Sequence, residues 1–132
     1  ASIAIPKMSD LLRKAKDGAT KGNLGRMRSA LNIYYGNNEG KYPGSTNSYN
    51  YNSTVLSATL IPTYMDKMPK VDVGPYHPAK TTTIQHNTFS SGDPHDGEGW
   101  GYDSWSNYDA NWGKIWVLCT HTDSKGTRWS TY

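Results

Sequence analysis

Ala1-Ser2-Ile3-Ala4-Ile5-Pro6-Lys7-Met8 runs without a break into a basic, helix-patterned stretch that ends on Asn37-Asn38-Glu39-Gly40-Lys41-Tyr42-Pro43. Within it Met8, Leu12, Ala15 and Ala19 recur at steps of 4, 3 and 4, and Leu24, Met27, Leu31 and Tyr34 at steps of 3, 4 and 3. Both are the spacing of one helix face. A continuous helix from Pro6 to Gly36 is predicted, about 45 Å long at 1.5 Å per residue. That is longer than a small head can cover, so its N-terminal half is expected to project or to pack on other chains, as the end of a longer helix. Pro6, lacking an N–H, suits a first turn or a kink. Gly18, Gly22 and Gly25 separate the two patterned halves. Each interior glycine costs roughly 1 kcal/mol relative to alanine, so the three mark a stretch that frays, that lets another backbone approach, or that simply tolerates glycine.

The remainder has a different composition. Aromatics reach 12% of the 132 residues, through ten Tyr and five Trp against one Phe, and mean hydropathy is −0.78. This is a core of amphipathic rings that tolerates a wet surface. Thirteen Gly and seven Pro, with many Asn, Ser and Thr, predict turns and short strands after Tyr42. The length suits one domain, with residues 1–36 as stalk and 37–132 as head. Residues 1–35 hold seven Lys and Arg against Asp10 and Asp17, a net of +5, which leaves −2 for the rest of a chain of net +3. The charges alternate with apolar positions, so a solvated or interprotomer face is expected, and no nucleic acid.

In the head, Ser53 to Leu60 reads as a short helix capped near Asn52 or Ser53 and stopped by Pro62. The threonine run leading to Ile84-Gln85-His86 suits a strand. Trp100 to Trp105, Lys114 to Thr120 and Thr127 to Tyr132 read as three more, with turns at Asn107 to Gly113 and at Asp123-Ser124-Lys125-Gly126. The predicted fold is α+β: the long N-terminal helix packed through Leu24, Met27, Leu31 and Tyr34 on a small antiparallel sheet of three to four strands.

Catalytic signatures are missing. There is no phosphate loop, dinucleotide fingerprint or nucleophile elbow, so an enzyme is not expected. His77, His86, His95 and His121 lack zinc-site spacing and are expected at the surface or in turns. The lone Cys119, in Trp116-Val117-Leu118-Cys119, reads as a buried strand thiol with no nearby base. Between Lys80 and Lys114 there is no cation, while Asp93, Asp96, Glu98, Asp103 and Asp109 all fall there. Such a run is either a solvated acidic loop or a calcium site, since calcium takes six to eight oxygens and can fix a loop that no disulfide holds.

Three stretches carry a resemblance. The N-terminal Ala-Ser-Ile-Ala-Ile-Pro-Lys-Met, with Leu24 to Tyr35 and Asn38-Glu39-Gly40-Lys41-Tyr42-Pro43, resembles the stalk region of class III-signal proteins, the type IV pilins and type II secretion pseudopilins. Leu60-Ile61-Pro62-Thr63-Tyr64-Met65-Asp66-Lys67-Met68-Pro69 is similar to the element after the pseudopilin stalk. Gly99-Trp100-Gly101-Tyr102-Asp103, followed by Gly113-Lys114-Ile115-Trp116-Val117, is similar to the family's closing strand pair. Residues 70–98 are the one gap.

The resemblance implies a filament subunit. About 15 to 20 apolar residues would precede Ala1, enough for a bilayer helix; they would anchor the chain in a bacterial inner membrane until helices bundle in a periplasmic or extracellular filament. Ile3, Ile5, Met8, Leu11 and Leu12 would then be assembly residues, and the partners would be other pilins or pseudopilins and an inner-membrane assembly platform. The implied work is mechanical, pushing cargo through an outer-membrane channel, or adhesion and motility for a type IV pilus pilin. The resemblance also implies calcium in the loop starting at Tyr102-Asp103-Ser104-Trp105-Ser106, held by Asp103, Ser106 and Asp109 with Asp96 or Glu98 nearby. The family pattern lapses at Asn107-Tyr108-Asp109-Ala110. A second class of reading, a carbohydrate-binding module, rests on Trp100, Trp105, Trp112, Trp116 and Trp129, of which at least half are expected in the core.

Overall fold

The computed structural model describes residues 4–44, 54–77, 82, 84–86, 96–104 and 110–132. One helix, α1 (Ala4–Asn37), passes through its glycines without interruption. Pro6 lies in the first turn, where no intrahelical N–H bond is lost. The helix stops where turn-forming residues cluster. Glu39 and Gly40 adopt left-handed φ values of 54° and 76°, the Gly40 N–H donates back to the Tyr35 carbonyl (3.1 Å), and the Asn38 amide donates to the Tyr34 carbonyl (2.8 Å). Carbonyls orphaned by the helix end are thereby satisfied.

A single turn and a half, α2 (Val55–Leu60), buries Leu56 and Leu60 four residues apart. Its N-cap is Thr54, which makes no side-chain cap bond; the expected caps Asn52 and Ser53 lie outside the described residues. Three strands follow: β1 (Ile84–His86), β2 (Trp100–Tyr102) and β3 (Ile115–Val117), in spatial order β1-β2-β3. β2 and β3 are antiparallel, with Trp100 opposite Val117, Gly101 opposite Trp116 and Tyr102 opposite Ile115. β1 joins β2 in parallel, so the expected all-antiparallel sheet of three to four strands is not what forms. Nor is Thr127 to Tyr132 a strand. Arg128 makes an isolated bridge to Thr122 and residues Trp129–Thr131 close a 3-10 turn, because the Trp129 and Ser130 N–H groups donate to the His121 and Cys119 carbonyls (both 3.0 Å) and the Thr131 N–H to Arg128 (3.1 Å).

The core lies between the second half of α1 and one face of the sheet. Leu24, Met27, Ala30 and Leu31 meet Leu56, Leu60, Trp100, Tyr102, Ile115, Val117, Cys119 and Trp129. Two buried rings also keep their polar ends satisfied: the Trp100 indole donates to the Pro69 carbonyl (2.9 Å) and the Tyr102 hydroxyl to that of Pro43 (2.5 Å). On the other face Trp116 lies over Gly101, so close that a Cβ there would sit 2.2 Å from the indole. With Trp100, Trp116 and Trp129 all fully buried, these three rings offer a sugar no stacking platform. No helix among the described residues is long and apolar enough to cross a membrane.

The division of α1 into a core half and an uncovered end makes a stability test. Leu31 is 2% exposed and Leu12 59%, so Leu31→Ala is expected to cost about 2–5 kcal/mol and Leu12→Ala well under 1 kcal/mol in urea denaturation. Equal losses would contradict this partition.

Candidate functional site

Two faces of α1 decide what the chain offers to others. One is a continuous stripe, Arg13, Asp17, Thr20, Leu24, Met27 and Leu31, at steps of 4, 3, 4, 3 and 4, and it faces the head throughout. Its C-terminal half is apolar and its N-terminal half polar. Asp17 accepts from the Ser124 N–H (2.7 Å), the Thr20 hydroxyl donates to the Asp72 carbonyl (2.8 Å) while accepting the Asp72 N–H (3.0 Å), and Arg13 donates to the Thr122 carbonyl (3.3 Å). Arg28 reaches the Ile115 carbonyl (3.2 Å) and Lys16 pairs with Asp72 (3.8 Å). Arg13, Lys16 and Arg28, expected on a solvated or interprotomer face, thus grip head carbonyls and a carboxylate. Docking begins at Arg13, so only the residues before it stand clear, not the whole N-terminal half.

The centre of this polar dock is Asp123, whose side chain is fully buried. One carboxylate oxygen accepts from the Lys21 ammonium (2.5 Å) and the Tyr132 hydroxyl (2.7 Å), the other from the Lys125 and Thr127 N–H groups (2.8 and 2.9 Å). Burial opposes ionisation of Asp123, yet Lys21, Tyr132 and the two N–H groups outweigh it and hold the carboxyl well below its usual range. Lys21 is likewise partly desolvated, but Asp123 and Tyr132 raise its pKa. Gly126, at φ 83°, closes the turn that brings these N–H groups back.

The opposite face of α1, about 130° round the helix at 100° per residue, carries Met8, Leu12, Ala15 and Ala19, all exposed, with Leu11 beside them. Met8 is 70% and Leu11 64% exposed. Gly18, Gly22 and Gly25 adjoin it, and a Cβ added at any of them meets nothing within 4 Å. Within this chain, therefore, no neighbour requires those glycines. Of the other expected assembly residues, Ile3 lies outside the described residues and Ile5 is described only as helical backbone.

Of the expected calcium ligands, Asp103 and Asp96 lie at opposite ends of the β2–β3 pair. Asp103 is buried at the end of β2, where its N–H donates to the Lys114 carbonyl and its carbonyl accepts from Gly113 (both 2.9 Å). Asp96 sits at the other end of the β2–β3 pair, beside Thr120, whose N–H it accepts (3.0 Å). Glu98 is exposed; Ser106 and Asp109 lie outside the described residues.

What Asp96 does join was not legible from spacing. One of its oxygens lies 3.2 Å from His77 Nε2 and 3.4 Å from His121 Nδ1, and Cys119 Sγ is 3.6 Å from the same His121 nitrogen. One donor atom from each of the four lies within 4.8 Å of the others. Both histidines thus belong to a cluster, and the buried thiol does have a base beside it. Burial, with the Asp96 charge, pushes the Cys119 thiol up to about 11, against a backbone N–H bond from His121. Burial opposes ionisation of Asp96, but the Thr120 N–H and His77 prevail and hold it below its usual range.

Compared with protein-family models, curated proteins and solved structures, the chain finds no match.

The Asp123 junction makes acid stability a readout of docking. Because its pKa is lowered by folding, its contribution is fully present above the ordinary carboxyl value of about 3.9 and is lost as pH falls below that value. Asp123→Asn is expected to cost about 3 kcal/mol at neutral pH, the lower end for a broken buried pair because Lys21 retains access to water. It should also flatten the fall in stability below about pH 4, read by tryptophan fluorescence in denaturant at each pH.

Proposed function

We propose that this chain is a structural subunit of a helical, pilus-like filament, and specifically a type II secretion pseudopilin acting in protein export. The observation that carries the proposal is the two-faced α1. One stripe is used up by the head; the other presents Met8, Leu11, Leu12, Ala15, Ala19 and three glycines to the outside. Apolar and small residues along an exposed helix suit close packing of identical helices, and small residues let backbones approach. In that assembly the head would coat the filament and the partners would be further copies, related pilins and the inner-membrane platform. A type IV pilus pilin would use the same surface. The single cysteine of this sequence, buried two residues past β3, offers no cysteine pair of the kind usual near a pilin's C-terminus, which favours the pseudopilin.

Calcium belongs to the same reading, with Asp103, Ser106 and Asp109 as the ligands expected in the segment after β2 and Asp96 or Glu98 nearby. At about one hundred times the dissociation constant it should add roughly 2.7 kcal/mol to stability. Equal melting temperatures in millimolar calcium and in a calcium-selective chelator would remove it, leaving the filament proposal on the stalk alone.

The decisive test separates folding from assembly. At exposed Gly22 an added Cβ meets nothing within 4 Å, so Gly22→Leu is expected to leave the purified chain as stable as the parent or up to about 1 kcal/mol more so. Leu12→Asp should be near neutral. In the producing cell either change should reduce sheared surface filaments and exported cargo more than tenfold, measured by electron microscopy and by assay of the medium. Normal filaments from both variants would overturn the assignment; loss of adhesion or motility with export intact would point to the type IV pilus.

A further inference from the structure

We propose that His77, Asp96, Cys119 and His121 form a structural zinc site, independent of any filament role. The four residues come from three separate segments: the turn after Val73, the stretch leading into β2, and the strand end after β3. They bring one sulfur, two imidazole nitrogens and one carboxylate oxygen together, all within 4.8 Å of one another. Tetrahedral zinc with bonds of about 2.0 Å to N and O and 2.3 Å to S needs ligand atoms about 3.3–3.8 Å apart. Three of the six separations are 3.2 Å from His77 to Asp96, 3.4 Å from His121 to Asp96 and 3.6 Å from Cys119 to His121, and the other three are within 4.8 Å, which small side-chain rotations would bring to the zinc distances.

The donor set argues for the metal. A thiolate with two imidazoles is too soft for calcium or magnesium, which take oxygen ligands, and suits zinc. Four protein ligands close the coordination sphere, which marks a structural rather than a catalytic site.

The surroundings hold the ligands in place. Tyr76 stacks on the His121 ring, centroids 4.2 Å apart and planes 8° from parallel, and Arg13 of α1 sits over Tyr76 at 5.8 Å. The Thr120 N–H fixes the Asp96 carboxylate at 3.0 Å, and the Gly97 N–H holds its neighbour to the Leu118 carbonyl at 3.3 Å. Such outer contacts orient ligands and raise affinity. On binding, the Cys119 thiol gives its proton to solvent and its sulfur to zinc. The bound ion ties His77 and Asp96 to the end of β3, clamping both ends of the segment 78–95. A crosslink across such a stretch stabilises by limiting the unfolded chain.

The test uses the whole chain, stripped of metal and then given zinc or cobalt(II) alone. Expected are one zinc retained per chain through gel filtration, a raised melting temperature, and a cobalt spectrum with a thiolate-to-metal band and the intense visible bands of four-coordination. Cys119→Ser should abolish the thiolate band. His77→Asn, at a half-buried position, should weaken zinc binding more than about 10-fold while the metal-free variant melts as the metal-free parent does. A chain with both His86→Asn and His95→Asn should keep the site. The proposal is overturned by failure to retain zinc, by a cobalt spectrum without the thiolate band, or by loss of zinc in the His86/His95 variant with retention in Cys119→Ser.

Discussion

The sheet among the described residues, three strands of three residues each, has too little surface to enclose a core, and much else in this structure follows from that shortage. The missing half is supplied by α1, whose Leu24, Met27, Ala30 and Leu31 lie against Trp100, Tyr102, Ile115 and Val117. Large rings do much of the filling. Trp100, Trp116, Trp129 and Tyr102 are each almost wholly buried, and a ring of that size removes more apolar surface per residue than any aliphatic side chain. The second half of the helix and the head therefore share one core, and the other end of the helix extends beyond it.

The join is extended by polar contacts where apolar ones run out. Above Leu24 the same helix stripe continues as Thr20, Asp17 and Arg13, and each finds a backbone partner in the head. Asp123 is the hub, its carboxylate accepting four hydrogen bonds from groups in α1, its own turn and Tyr132. A buried carboxylate is tolerated only when so surrounded. This geometry sets the angle at which α1 leaves the head, and with it which side chains remain outside. Met8, Leu11 and Leu12 are exposed because the docked stripe points elsewhere.

Much of α1 is legible in the sequence alone. The steps of 4 and 3 through Leu24, Met27 and Leu31 put those residues on one face, and the Asn38-Glu39-Gly40 cluster marked the stop. The same spacing put Met8, Leu12, Ala15 and Ala19 on one face, and they are exposed, as a projecting half requires; what the spacing did not show is that the neighbouring face already docks on the head from Arg13 onward. Hydrophobic spacing reports that residues share a face, not which partner that face will find. The strand reading of Thr127 to Tyr132 failed for a related reason: β-forming side chains were present, but the Trp129 and Ser130 N–H groups are claimed by the segment 119–121.

Two links of the chain therefore have different sources. Local steric and periodic rules settle the long helix, its terminus, the turn at Asp123 to Gly126 and the α+β class, since each depends on residues within a few positions of one another. The His77, Asp96, Cys119 and His121 cluster belongs to the tertiary structure alone. Antiparallel pairing of Trp100 with Val117 sets the approach to β2 beside the end of β3, and that pairing carries Asp96 to Thr120 and His121. No spacing along the chain encodes this, because the distance between ligands is set by strand register and by the packing of Tyr76 on His121.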